Sequence, residues 1–263
     1  MVSAGAFVPL AVTSRSGMDE SVHSGAVVCL APSGDVAYAA GDPSVVIYPR
    51  SANKPLQAQA MVRAGLRLAP AQLAVVCASH DGTPAPLDAV RAVLASAGLG
   101  ESALANTPDL PLDGASRDAV LRAGGGPSSI LQNCSGKHAG MLACCICNDW
   151  PADPSYLSLE HPLQEQITVT IATLAGELVA HVGVDGCGAP AHAFSLAGLA
   201  RAFAALAVAG GAVPEAMTAH PELVGGERRD VTALMRAVPG LIAKDGAEGV
   251  FAAALPDGRA VAL

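Results

Sequence analysis

Large aromatic side chains are scarce in this chain: Phe, Trp and Tyr make up 3% of it, with a single tryptophan. A core without rings has to be filled with small aliphatic groups, and the abundant alanine favours helices for that purpose. Basic residues are few as well, 15 Lys and Arg against 23 Asp and Glu, and they form no run. A net charge of −8 gives nucleic acid or an anionic membrane surface little to hold. No apolar stretch reaches the roughly 18 residues of a membrane span. The most apolar one, 202–213, is interrupted by Gly210 and Gly211 and followed by Pro214. A basic segment leading into an apolar stretch and a cleavage site is missing from the N-terminus. The seven cysteines are odd in number and lack the framework of a small secreted protein, so a reducing cytoplasm is the expected compartment.

What is present is enough apolar material, 51% of 263 residues, for one large core or two closely packed ones. Short β-prone runs lie near both ends: 24–30 and 36–40 around the turn Pro32-Ser33-Gly34-Asp35, then 45–48, and later 241–244, 249–255 and 260–263. Helical patterns fill the middle, with a helix opened by Ser51 and others over 87–97, 138–147, 163–182, 196–209 and 229–237. The apolar run 73–78 reads as strand-like. These patterns predict an α+β fold, an antiparallel sheet built from both termini around an inserted, mainly helical region. The expected division is 1–66 for the N-terminal strands and the first helix, 67–238 for the helical region, and 239–263 for the returning strands. The chain stops inside the apolar run Ala260-Val261-Ala262-Leu263, which predicts an uncovered sheet edge and a missing C-terminal element.

Four clusters carry reactive groups. Ser51 and Lys54 lie three apart at a helix start, so their side chains can meet on one face. A serine attacks only when something takes its proton, and a lysine can do that if burial or a second cation lowers its pKa. Lys244 in Lys244-Asp245-Gly246, after a strand near the C-terminus, could be that second cation. Ser79-His80-Asp81-Gly82 puts another hydroxyl beside an imidazole and a carboxylate, and Ser79 competes with Ser51 as nucleophile. Asn133-Cys134-Ser135-Gly136-Lys137-His138 crowds a thiol, a hydroxyl, an amine and an imidazole together, and Cys187 lies in a glycine-flanked loop. Two thiolates and one nitrogen would make a three-ligand zinc site with an open position, and metal chemistry alone favours His138 as the nitrogen. Cys144, Cys145 and Cys147 read as small core residues on a helix.

These segments, with Glu20 to Gly25, Trp150-Pro151, Glu160 to Gln164, Asp185 to Pro190 and Lys244 to Gly249, resemble the type II L-asparaginase family of the rhizobial, thermolabile kind. They run in one order over nearly the whole chain. The resemblance implies a serine β-lactamase/DD-peptidase-like fold and hydrolysis of L-asparagine to L-aspartate and ammonia. It implies two Ser–Lys pairs, Ser51 with Lys54 and Ser79 with Lys244. It also implies a zinc site on Cys134, Lys137 and Cys187, with lysine rather than His138 as the nitrogen ligand, and a homodimer. Arg50, His80, Asp81, Lys137, His138 and Asp185 are the expected substrate-binding residues, with Arg229 as an alternative partner for the substrate carboxylate. Asn148-Asp149 stands before Trp150 where the family pattern has a glycine-like turn, and the family continues past residue 263 with a further helix. The rival readings are a glutaminase or β-lactam-hydrolysing enzyme of the same fold, and a non-catalytic module that binds an amino acid or zinc.

Overall fold

The computed structural model describes residues 5–263. It opens with a hairpin of β1 (Val8–Arg15) and β2 (Met18–Gly25), followed by β3 (Val27–Leu30), β4 (Val36–Ala40) and β5 (Val46–Ile47). A 3-10 turn, Arg50–Asn53, leads into α1 (Lys54–Arg63). Then come α2 (Pro70–Val76), α3 (Pro84–Ser96), α4 (Gly114–Arg122), α5 (Ser135–Cys147) and α6 (Pro162–Ala175). Strands β6 (His181–Val184) and β7 (Pro190–Ser195) separate these from α7 (Leu196–Ala209), α8 (Ala212–Ala219), α9 (Pro221–Gly225) and α10 (Asp230–Ala237). The chain finishes with β8 (Ile242–Asp245), β9 (Phe251–Ala254) and β10 (Ala260–Ala262).

The fold is α+β, as the sequence predicts. An antiparallel five-stranded sheet in the order β4-β3-β10-β9-β8 joins both halves of the chain. The predicted sheet edge at Ala260–Ala262 is overturned: β10 is interior, with Ala260 opposite Leu30 on one side and Ala254 on the other. Helix α7 packs across β3, β9 and β10. Strands β9 and β10 are mostly alanine, and such small side chains let a helix approach a sheet closely.

Two local expectations also change. The run 73–78 is not a strand but the end of α2 and its exit. Pro70 is tolerated in the first turn of that helix, and the Gln72 side chain accepts the Ala69 N–H at 3.0 Å. Every residue from Leu73 to Ala78 is buried, so no amphipathic period was present to separate helix from strand. The helix expected over 163–182 stops at Ala175, where Gly176 adopts φ +67° as its C-cap. The chain then turns back as β6, which pairs with β7, and β7 also pairs with β5.

Two glycines bring the chemistry together. Gly136 and Gly140 lie one turn apart on α5 and face α2. A Cβ on Gly136 would fall 2.1 Å from the Val75 carbonyl oxygen, and one on Gly140 would fall 2.6 Å from Val76 Cγ1. Only glycine permits that approach, and it holds the Cys134–His138 segment against the Ser79 turn. No single helix among the described residues is long and apolar enough to cross a membrane.

Candidate active site

Ser51 does not open a regular helix. It lies in the 3-10 turn, where Arg50 takes φ +51°, a conformation that costs a non-glycine residue strain and is often retained at functional sites. Three contacts hold the turn. The Asn53 side-chain amide donates to the His192 carbonyl of β7 at 3.2 Å, and Arg50 Nε donates to Asp185 Oδ1 at 2.8 Å. Gly246, after β8, packs so tightly here that a Cβ would sit 2.4 Å from the Pro49 carbonyl oxygen. The glycine of Lys-Asp-Gly is therefore what lets β8 abut the Ser51 turn.

The lysines are partnered differently from the implied pairs. Lys54 Nζ donates to the Ala78 carbonyl at 2.6 Å and to Ser79 Oγ at 3.1 Å. Past the end of α2 that carbonyl has no helical partner, and a cation is favoured there. Lys54 thus meets Ser79, and among the described residues no hydrogen bond joins Ser51 Oγ to either amine. Lys244 is fully buried and bonds the side chain of Asp245 and, at 2.8 Å, its carbonyl. Burial pushes its amine down to about 8; Asp245 opposes the fall, and Lys54 and Arg229 add to it. Arg229 donates to the other oxygen of Asp245. Asp245, the link in this Arg229–Asp245–Lys244 chain, carried no role in the sequence reading, although it stands inside the Lys-Asp-Gly motif.

His80 follows Ser79 and is buried. Its Nε2 lies 2.7 Å from Ser135 Oγ, whose proton goes to the Ile130 carbonyl at 2.9 Å. A hydroxyl has one proton, so His80 Nε2–H must donate, and Nδ1 is left as a buried acceptor with no protein partner. Burial, helped by Lys54, pushes the ring's pKa down to about 3 and keeps it neutral. Asp81 turns to local duties: its Oδ1 accepts the Thr83 N–H at 3.0 Å and the Thr83 hydroxyl at 2.7 Å.

Cys134, Lys137 and Cys187 form one buried cluster. Lys137 Nζ donates to Cys187 Sγ at 3.1 Å. A hydrogen bond from Cys187 lowers the Cys134 pKa against the effect of burial, and Lys54 and Lys137 lower it further. That bond and burial raise the Cys187 pKa. Burial works against the Lys137 charge, but Cys187 and Cys134 outweigh it and raise the amine's pKa. His138 is elsewhere, with Nδ1 on the Tyr156 hydroxyl at 2.7 Å. The metal-chemistry preference for His138 is therefore not met, and the nitrogen beside the thiols is Lys137. Among the described residues no three His, Cys, Asp or Glu side chains are grouped to hold a metal. Two thiols and an amine suit zinc as a donor set, provided the lysine gives up its proton. Asp185, also bonded to the Gly186 N–H at 2.8 Å, stands behind this cluster and ties it to Arg50.

Comparison with known proteins bears on what this arrangement does. No curated protein matches the chain. Among solved structures, Mglu in its native form is 17% identical, with 90% of this chain and 58% of that chain covered and a TM-score of 0.47. A β-lactamase from Mycobacterium bovis is 18% identical, with 90% and 85% covered and a TM-score of 0.39. The chain thus spans less than two thirds of the length of that Mglu chain. Residues 11–263 match the model of the L-asparaginase II family. That is nearly the whole chain, and the protein belongs to the L-asparaginase II family.

Proposed function

We propose that the protein hydrolyses L-asparagine to L-aspartate and ammonia with a lysine-activated serine. Family membership supports amidohydrolase chemistry on asparagine in general. The observation that carries the finer reading is the buried 3.1 Å contact between Lys54 Nζ and Ser79 Oγ, beside a second buried lysine whose amine loses its proton near pH 8. Lys244 thus holds its proton weakly, and an unprotonated amine can take one from a hydroxyl.

In this reading Ser79 Oγ attacks the side-chain amide carbon as its proton passes to the Lys54 amine. Ammonia leaves with a proton, and water then hydrolyses the acyl-enzyme. Ser51 is a second hydroxyl from the adjoining turn. Lys137 or backbone N–H groups stabilise the oxyanion. The Arg50–Asp185 pair offers a cation for the substrate's α-carboxylate and an anion for its ammonium, and His80 and His138 are buried, neutral groups held by Ser135 and Tyr156. Asp81 takes no direct part. Zinc held by Cys134, Lys137 and Cys187 would supply a fixed positive charge for positioning substrate. A homodimer in the cytoplasm is the expected setting.

Ammonia release from L-asparagine is the test, with L-glutamine and a chromogenic β-lactam in parallel. Ser79→Ala is expected to lower turnover by on the order of 10³-fold or more. Near-full activity in both Ser79→Ala and Ser51→Ala sinks the serine mechanism. Faster turnover of glutamine or the β-lactam moves the assignment to that substrate.

A further inference from the structure

A cavity of about 320 Å³ opens beside the reactive centre, between the loops around Asp81, Asp113 and Gly226. None of Ser51, Lys54, Ser79 and Lys244 lines it. Its lining carries charges of both signs. Asp81 spends Oδ1 on Thr83, while Oδ2 meets no donor among the described residues. Gly226, at φ +110°, keeps that oxygen open, since a Cβ there would lie 2.8 Å from it. The 226–229 segment brings two guanidiniums and also Glu227, whose two oxygens are both bonded by Arg236. Arg228 makes one contact, to Asp113 Oδ1 at 3.0 Å, and is 84% exposed. Arg229 uses one nitrogen on Asp245. Among the described residues, the remaining nitrogens of both are uncommitted.

A plain anion would meet Asp81 and Asp113, and a plain cation would meet the arginines. A molecule carrying a carboxylate and an ammonium satisfies both. The exposed Arg228–Asp113 pair is of the weak surface kind and can exchange for a ligand carboxylate. We propose that this cavity is a second amino-acid site, distinct from the hydrolytic centre, whose occupant acts on that centre through Arg229, Asp245 and Lys244. The binding stands alone; only its effect on rate rests on the proposed hydrolysis.

The link is electrostatic. The groups facing Lys244 are Asp245 on its own strand, Lys54 from α1, Cys77 at the end of α2 and Arg229 at the start of α10. Strand β9 brings no titratable side chain, Glu222 of α9 pairs with Arg236, and Arg50 pairs with Asp185. Arg229 helps lower the pKa of the Lys244 amine. A carboxylate against Arg229 offsets that charge and leaves Asp245 to Lys244, so the amine holds its proton to higher pH.

The test is calorimetric titration with L-aspartate and with succinate, which lacks the ammonium. Wild type is expected to bind L-aspartate in two classes, and Arg228→Gln to weaken one of them about tenfold. Succinate is expected to miss that class. A single class in wild type, an unchanged titration in Arg228→Gln, or equal binding of succinate overturns the proposal. Added L-aspartate, at a level that leaves turnover measurable, is expected to move the rising limb of the pH–rate profile up by roughly half a pH unit in wild type and not in Arg228→Gln. An unmoved limb removes the link to Lys244. If no ammonia is released from any substrate while the Arg228-dependent class persists, the hydrolytic reading fails and the site stands.

Discussion

Lys137 and Lys244 are equally buried, yet they carry opposite charge tendencies. Burial alone pushes both amines toward the neutral form. Around Lys137, two thiols and Asp185 reverse that push, and the amine keeps its proton. Around Lys244, Asp245 pulls the same way, but Lys54 and Arg229 side with burial, and the amine falls to about 8. Neighbours rather than depth decide the outcome. One end of the site therefore holds a fixed cation, and the other holds an amine that can take up a proton at moderately alkaline pH.

The sharpest way to break this contrast is to remove the low-pKa amine. Lys244→Met is expected to cut turnover by about 10²- to 10³-fold, the scale of a group that assists proton transfer. Turnover within a factor of a few of wild type would make Lys244 merely structural. The same depression has a thermodynamic side. Unfolded, the lysine keeps its proton up to about 10.5; folded, only up to about 8. Between those values the unfolded chain binds more protons, so stability rises with pH, by about 3 kcal/mol for this group. Urea unfolding at pH 7.5 and at pH 10 is expected to show wild type gaining on Lys244→Met by that order, and parallel curves would contradict it.

At the other end, Lys137→Met is expected to weaken zinc binding by about 10- to 100-fold, measured by competition with a chromophoric chelator. Unaltered affinity would remove Lys137 from the ligand set. The smallest effects are the most diagnostic. Asp245→Asn takes away the group that raises the Lys244 pKa, and Arg229→Gln takes away one that lowers it. The rising limb of the pH–rate profile should therefore move down by roughly one pH unit in the first and up by a fraction of one in the second. Movement in one direction for both would mean that Lys244 does not set the limb.

Much of the fold could be read because its signals are local. The turn at Pro32–Asp35 and the alternation around it announce β3 and β4, and Pro256-Asp257-Gly258 announces the hairpin that joins β9 to β10. The position of β10 could not be read, because its two partners come from opposite ends of the chain. Helix α2 was hidden by its own burial. Strand β7 was hidden because it is buried throughout and lies between a glycine-rich loop and a helix. Of the site, Cys134, Lys137 and Cys187 come together in one buried cluster, and Lys54, Ser79 and Lys244 gather around one another. Their pairing could not be read: spacing allows Ser51 to meet Lys54, but the free Ala78 carbonyl draws Lys54 to Ser79 instead.

By itself the sequence determined the family, the α+β class and the stock of reactive groups, because motifs, turns and composition are properties of short segments. Only the tertiary structure decided which hydroxyl meets which amine, which lysine stays charged, and that Arg229 and Asp245 stand behind Lys244. A pKa and a hydrogen bond depend on distances of a few ångströms between residues far apart in the chain, and the glycines at 136, 140 and 246 set those distances by what they leave out.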